Sequence, residues 1–236
     1  ILRVQNGLEI KVCGIANTKK MVFDENGIQL SDWKNILTSS NESSDPKLFV
    51  DRMISMNLAN TIFIDNTADT QIPDLYKKIF EASISVATPN KIAASSVYDN
   101  YLSLKQVARK HNVEFLFETN VGAGLPVIST MRNLIHSGDR IIKIEAVLSG
   151  SVSFIFNNFD GTKPFSQLVN EAKELGYTEP DPRDDLSGAD VKRKITILAR
   201  EAGYAVNTDE VSINPILPDN CMQASSVDAF FTALKQ

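Results

Sequence analysis

Glu179, Asp181, Asp184 and Asp185 crowd into one short stretch, residues 176–194, which reads GYTEPDPRDDLSGADVKRK. Pro180 and Pro182 cannot continue a helix, so residues 178–183 are expected to be extended or turned, and stiff. A helix is expected from near Leu186, with Val191, Ile195 and Leu198 at helical spacing. On that helix Asp190 and Lys194 stand four apart on one face, and Ile197 continues their stripe at the edge of the apolar arc. A rigid acidic loop facing an acid–lysine pair is what a small, polar, amine-bearing substrate needs. Residue types alone leave a plainer reading open. Acid-rich proline turns are common at helix starts, and a four-apart Asp–Lys pair often only decorates a surface helix.

Those groups need a scaffold. Residues 8–16, 61–64, 83–87 and 114–118 read as short buried strands, and residues 46–56, 73–81 and 102–111 as helices between them. That alternation predicts parallel α/β units, a doubly wound nucleotide-binding sheet over residues 1–117. Asp45 is placed to cap the helix that Pro46 begins. Lys91 follows the third strand and belongs at the carboxyl edge of the sheet, where such folds bind ligands, although a solvated loop lysine fits the same position. Asn17-Thr18-Lys19-Lys20 ends the first strand, where the ribose-discriminating group sits. A lysine there with no acid suits a 2′-phosphate and so NADP, and a polar turn fits equally well. Residues 118–236 change character. Helices are expected at 127–137, 165–175, 186–202 and 227–234, the last with nowhere obvious to pack. The alternating apolar residues of 140–149 predict a long strand in an open sheet covered by helices. The fold class is therefore α/β, a Rossmann-like parallel sheet followed by an α+β domain.

The 236 residues suit one large domain or two small ones, and 43% hydrophobic residues suffice for a core. A net charge of −5 and a pI near 5.2 argue against nucleic acid or an anionic membrane surface as the main partner. Cys13 and Cys221 offer no disulfide framework and suit a reducing cytoplasm, Cys13 as a small core residue. His111 and His136 lack partners at zinc-ligand spacing. No apolar run reaches the length of a membrane span. A chain that starts at Ile1 is expected to be a piece of something longer.

The run GYTEPDPRDDLSGADVKRK closely resembles the signature of the homoserine dehydrogenases. Ala87-Thr88-Pro89-Asn90-Lys91 is similar to that family's TPNK segment, Glu118-Thr119-Asn120-Val121-Gly122-Ala123-Gly124-Leu125-Pro126-Val127 to its glycine turn, and residues 148–156 (LSGSVSFIF) to its substrate-domain entry. The segments occur in family order, and the wording most resembles the dehydrogenase half of bifunctional aspartokinase–homoserine dehydrogenases. The resemblance implies NAD(P)H-dependent interconversion of aspartate semialdehyde and homoserine, in the synthesis of threonine, methionine and isoleucine, by a homodimer or higher homo-oligomer.

It also implies roles. Lys194, beside Asp190, would stabilise and protonate the alkoxide, with Lys91 near the reacting oxygen or nicotinamide. Glu179 and Asp185 would receive the substrate ammonium, with Asp190 nearer the hydroxyl. Arg183 and Asp184 would organise the loop, and Gly150 and Ser151 offer backbone donors. Asp65 and Thr67, of Asp65-Asn66-Thr67, would lie beside the cofactor, with Thr18 and Lys19 at its ribose. Glu118 with Val121, Ala123 and Leu125 would hold a monovalent cation such as sodium, whereas a plain strand-to-helix turn explains the glycines without the glutamate. The family's GxGxxG-type loop has no counterpart in the sequence, so this polypeptide alone is expected to bind NADP weakly and to be inactive. A non-catalytic dimerisation piece of a larger enzyme is the alternative reading.

Overall fold

A computed structural model describes residues 2–235, which form two compact units: residues 2–65, 69–87 and 104–116, and residues 66–68, 88–103 and 117–235. In chain order the helices are α1 (Leu2–Asn6), α2 (Trp33–Ser39), α3 (Pro46–Met56), α4 (Tyr76–Glu81), α5 (Ile92–Ser95), α6 (Tyr98–Lys110), α7 (Val127–His136), α8 (Gly150–Asn158), α9 (Phe165–Glu174), α10 (Pro182–Leu186), α11 (Ala189–Glu201), α12 (Asp219–Met222) and α13 (Val227–Ala233). The strands are β1 (Gly14–Ala16), β2 (Met21–Phe23), β3 (Ile62–Ile64), β4 (Ser85–Ala87) and β5 (Phe115–Leu116). None of the described helices is long and apolar enough to cross a membrane.

The first unit is built on the parallel sheet β3-β4-β5, in which Phe63 pairs with Val86 and Val86 with Phe115. These three are buried, and the rings of Tyr76, Phe80 and Phe115 pack with centroids 5.6–6.4 Å apart. Parallel pairing here follows from the βα alternation, because a parallel neighbour requires a crossover. Asp45 caps α3 as the sequence predicts, accepting from the Lys47 and Leu48 amides at 2.8 and 3.0 Å, with Pro46 at the first helical position.

Two expectations fail in this unit. Of residues 8–16 only Gly14–Ala16 is a strand, and it pairs antiparallel with β2 rather than joining the parallel sheet. An apolar run becomes a strand only where a second backbone meets its amides and carbonyls, and Leu8 and Ile10 lie exposed. Cys13 is accordingly half-buried instead of a core residue. Ile62 and Ile64 also point away from the core, so β3 buries one face and not both.

The second unit is helical among the described residues. Its core joins Ile155 of α8, Leu168, Val169 and Ala172 of α9, Leu186 of α10, Leu217, Cys221 and Phe230. The terminal helix, expected to have nowhere to pack, thus buries Phe230 completely. Residues 140–149 form no strand, despite their alternation, and Ile142 is 87% exposed. Alternation licenses a strand but does not provide its neighbour. The helix expected over 186–202 is two helices, broken at Gly188 with φ +76°. A Cβ at Gly188 would lie 3.2 Å from Ile213 Cγ2, so both the left-handed backbone and the close approach call for glycine. Pro182 is helical too: it opens α10 behind the cap Asp181, the one place where its missing N–H costs nothing.

Candidate active site

The second unit brings Lys91, Asp190 and Lys194 together. Asp190 and Lys194 lie one turn apart on α11, and Lys194 Nζ donates to Asp190 Oδ2 at 2.6 Å. Lys91, which precedes α5, places its Nζ 3.3 Å from Asp190 Oδ1. Asp190 therefore lies between two ammonium groups. Partial burial works against its charged form, but the Lys194 hydrogen bond and the Lys91 charge outweigh that and hold its carboxyl below the usual carboxylate range. Lys194 is the more enclosed lysine, its side chain only 17% exposed, and it also donates to the Leu148 carbonyl at 2.7 Å. An ammonium has three N–H bonds. Two are spent on protein oxygens, which fixes the direction of the third.

The acidic loop is held from inside. Asp185 Oδ1 accepts from the Ser151 hydroxyl at 2.7 Å and Oδ2 from the Glu179 amide at 2.8 Å. Both oxygens of Asp185 are thus engaged, while the Glu179 side chain is exposed. Ser149 caps α8 through the Val152 amide, and its hydroxyl lies 2.9 Å from that of Ser151. Residues 148–151 consequently touch both clusters, Lys194 through a carbonyl and Asp185 through a hydroxyl. Three residues of chain span at most about 11 Å, so the ammonium and the acidic loop share one neighbourhood. Arg183 organises the loop as expected, through Asp181 and not Asp184: Nε donates to both Asp181 oxygens at 2.9 and 3.0 Å. That hydrogen bonding holds the Asp181 carboxyl low. Arg183 also donates to the Ala224 carbonyl and stacks on the Phe230 ring, which ties the loop to α12–α13.

Other sequence-predicted residues have different surroundings. Asp65 is 1% exposed and its Oδ2 accepts from the Tyr76 hydroxyl at 2.5 Å, a structural contact inside the first unit. Thr67 is exposed. Thr18 and Lys19 occupy the turn of the β1–β2 hairpin, where Asn17 Oδ1 accepts from the Lys19 and Lys20 amides at 2.8 Å. That is the polar-turn geometry, not the end of a parallel strand. The Glu118 carboxylate accepts from the Ile128 and Ser129 amides at 2.7 and 2.8 Å, and so caps the start of α7. The Leu125 carbonyl accepts from the Val127 amide, and among the described residues no group of three His, Cys, Asp or Glu side chains could hold a metal.

Sequence reasoning missed the Leu148 carbonyl, which has no residue-type signal, and a buried polar layer behind the site. In that layer Tyr101 donates to Glu201, which also accepts from Arg132 Nε at 2.7 Å. Burial, then the Glu201 charge, pushes the Tyr101 hydroxyl well above the usual tyrosine range. A charged Arg-Glu pair at the end of an amphipathic helix is the one hint the sequence offered.

Known proteins resemble the chain along nearly its whole length. The family model described as the homoserine dehydrogenase NAD binding domain matches residues 1–118, and the one described as homoserine dehydrogenase matches residues 126–234. The chain is 41% identical over 235 residues to the maize bifunctional aspartokinase/homoserine dehydrogenase 2, chloroplastic, covering 99% of the chain but 26% of that protein. It superposes on a Candida auris protein of unknown function with TM-score 0.86 and 36% identity, over 98% of the chain and 67% of the other. A hyperthermophilic archaeal homoserine dehydrogenase in complex with NADPH gives TM-score 0.69 at 26% identity, over 85% of the chain and 64% of the other.

Proposed function

The chain belongs to the homoserine dehydrogenase family, and on that premise we propose that it carries the substrate end of an enzyme interconverting L-aspartate 4-semialdehyde and L-homoserine. The supporting observation is the Lys194 ammonium, anchored by Asp190 and the Leu148 carbonyl with one N–H left to direct. In the reducing direction the aldehyde carbon gains a hydride and its oxygen gains a proton. Lys194 offers that oxygen a hydrogen bond that strengthens as negative charge develops, then transfers the proton. Asp190 keeps the lysine charged and aimed, and Lys91 adds a second positive charge. Glu179, exposed on a loop held by Asp185, receives the substrate ammonium. Asp185 holds Glu179 through its amide and keeps a lone pair on each oxygen to share the substrate ammonium.

A nicotinamide dinucleotide, when bound, supplies the hydride. Thr67 and Lys91 would line its nicotinamide side. Thr18 and exposed Lys19, with no acid on their turn, offer groups that suit the 2′-phosphate of NADP over the bare ribose of NAD. Asp65, enclosed with Tyr76, fixes the end of β3. The oxygen set of Glu118 and the Val121, Ala123 and Leu125 carbonyls suits a hard monovalent cation such as sodium, because Glu118 and Leu125 each keep lone pairs beyond their amide partners. The test is to incubate the full-length protein with aspartate semialdehyde and NADPH, or with NADH, and to follow loss of reduced nicotinamide and appearance of homoserine. Folded protein that makes no homoserine with either cofactor overturns the assignment.

A further inference from the structure

Arg200 lies on α11, ten residues beyond Asp190, and is only 4% exposed. It pairs with no carboxylate among the described residues. Its guanidinium instead donates to three backbone carbonyls: Nη1 to Ala94 at 2.8 Å, Nη2 to Ser96 at 2.6 Å and Nε to Val206 at 3.0 Å. The rings of Tyr98 and Tyr101 flank it at 5.6 and 5.2 Å. Burying a cation this way is unfavourable unless every donor is satisfied, and burial does lower the pKa of Arg200. Ala94 and Ser96 stand at the end of α5, the short helix that Lys91 precedes. A four-residue helix leaves most of its carbonyls without an internal partner, and water or a neutral side chain usually serves them. Here Arg200 serves Ala94 and Ser96, and Thr208 Oγ1 serves Ser95 at 2.9 Å. At the other end the Lys91 carbonyl accepts from the Ser95 amide at 2.9 Å and hydroxyl at 2.8 Å, so the turn from Lys91 to Ser96 is a single stiff piece.

Helix α11 therefore grips this piece at two points. Asp190 takes the Lys91 ammonium at one end, and Arg200, about 15 Å further along the helix axis, takes the carbonyls at the other. We propose that Arg200 is a positioning residue, which sets the Lys91 segment along α11 and so fixes where the Lys91 ammonium stands beside Asp190 and Lys194. Its bearing on turnover rests on the reading of Lys91 given above. The geometry favours arginine over lysine, because the three carbonyls are met by three separate nitrogens of one planar fork, and a lysine has a single nitrogen to place.

The test uses the full-length protein in four forms: wild type, Arg200→Lys, Lys91→Ala and the double variant. Turnover in Arg200→Lys should fall about tenfold, since a displacement of about 1 Å can cost roughly a hundredfold and lysine keeps part of the grip and so allows a smaller one. The same change on the Lys91→Ala background should cost little further. A second readout needs no substrate: the titration midpoint of the Asp190 carboxyl, followed by carbon NMR and assigned by its loss in Asp190→Asn. Moving the Lys91 ammonium away should raise that midpoint in Arg200→Lys, as in Lys91→Ala, with no further rise in the double variant. An unchanged midpoint, or independent shifts that add, overturns the proposal. Lys91→Ala with wild-type turnover would refute the reading of Lys91 in the reaction, and the midpoint would still decide the positioning. Should Arg200→Lys not fold, Arg200→Gln, whose single amide cannot hold the Ala94, Ser96 and Val206 carbonyls together, is read by the same criteria.

Discussion

Lys194→Met separates a lysine that does chemistry from one that only holds structure. The substitution keeps the side chain's length and removes two hydrogen bonds, at 2.6 Å to Asp190 and 2.7 Å to the Leu148 carbonyl. Losing a partner at a buried polar group costs about 1–3 kcal/mol. Asp190 is 45% exposed on its side chain and keeps Lys91 at 3.3 Å, so water and the second lysine recover part of that. About 1 kcal/mol is then a fair figure for stability, a shift in Tm of roughly 2–4 °C for a unit of this size. The effect on the barrier is larger. A general acid supplies about 10²–10⁴ in rate, which is roughly 3–5 kcal/mol. Turnover of aspartate semialdehyde, followed as consumption of reduced nicotinamide by the full-length protein, should fall by that factor while the melting curve moves by a few degrees. Turnover within a few-fold of wild type, in protein saturated with both substrates, would remove Lys194 from the chemistry.

Other expectations follow from the same geometry. Glu179→Gln should raise the Michaelis constant for aspartate semialdehyde by about 10–100-fold, the worth of a charge-assisted hydrogen bond, and leave that for the cofactor unchanged; equal effects on both would refute its contact with the ammonium. Asp190 has its carboxyl lowered in the folded state, so it contributes stability above the ordinary aspartate range and loses that contribution as pH falls through about 4 and below. Asp190→Asn should thus flatten the acid limb of a stability–pH curve there, and an unchanged limb would mean the two lysines do not hold it. Glu118→Gln should cost about 0.5–2 kcal/mol through the weakened start of α7 and abolish any rise in Tm on exchanging choline for sodium. A sodium effect that survives the change would place the cation elsewhere.

What the sequence made legible was local. Asp45 and Pro46 announce α3 because a cap and its helix are neighbours in the chain, and Asp190 and Lys194 announce their pairing because a helix turn is four residues. Lys91 and the 190s are far apart in sequence, and only recognition of the surrounding motifs put them in one site. Gly188 was printed inside the most informative run, yet the apolar spacing on either side concealed the break, since spacing reports a face and not its continuity. Residues 8–16 and 140–149 failed for one reason: strand pairing is a property of two segments, and periodicity describes one. Glu118 shows the limit at the level of a single group. A carboxylate before a glycine turn and a helix suits a cation in composition, and only coordinates reveal that it also caps α7 through two amides.

The Leu148 carbonyl has a consequence for how this site tolerates change. A lysine anchored to a main-chain oxygen depends on the course of the polypeptide and not on which amino acid stands at position 148. Alanine or valine there would leave the oxygen in place, so a side-chain scan would record the position as silent. Shortening or lengthening the segment between α7 and α8 by one residue would instead displace the oxygen and Ser151 together, loosening Lys194 and the acidic loop at a stroke. The vulnerability lies in loop length, where deletions would register and substitutions would not.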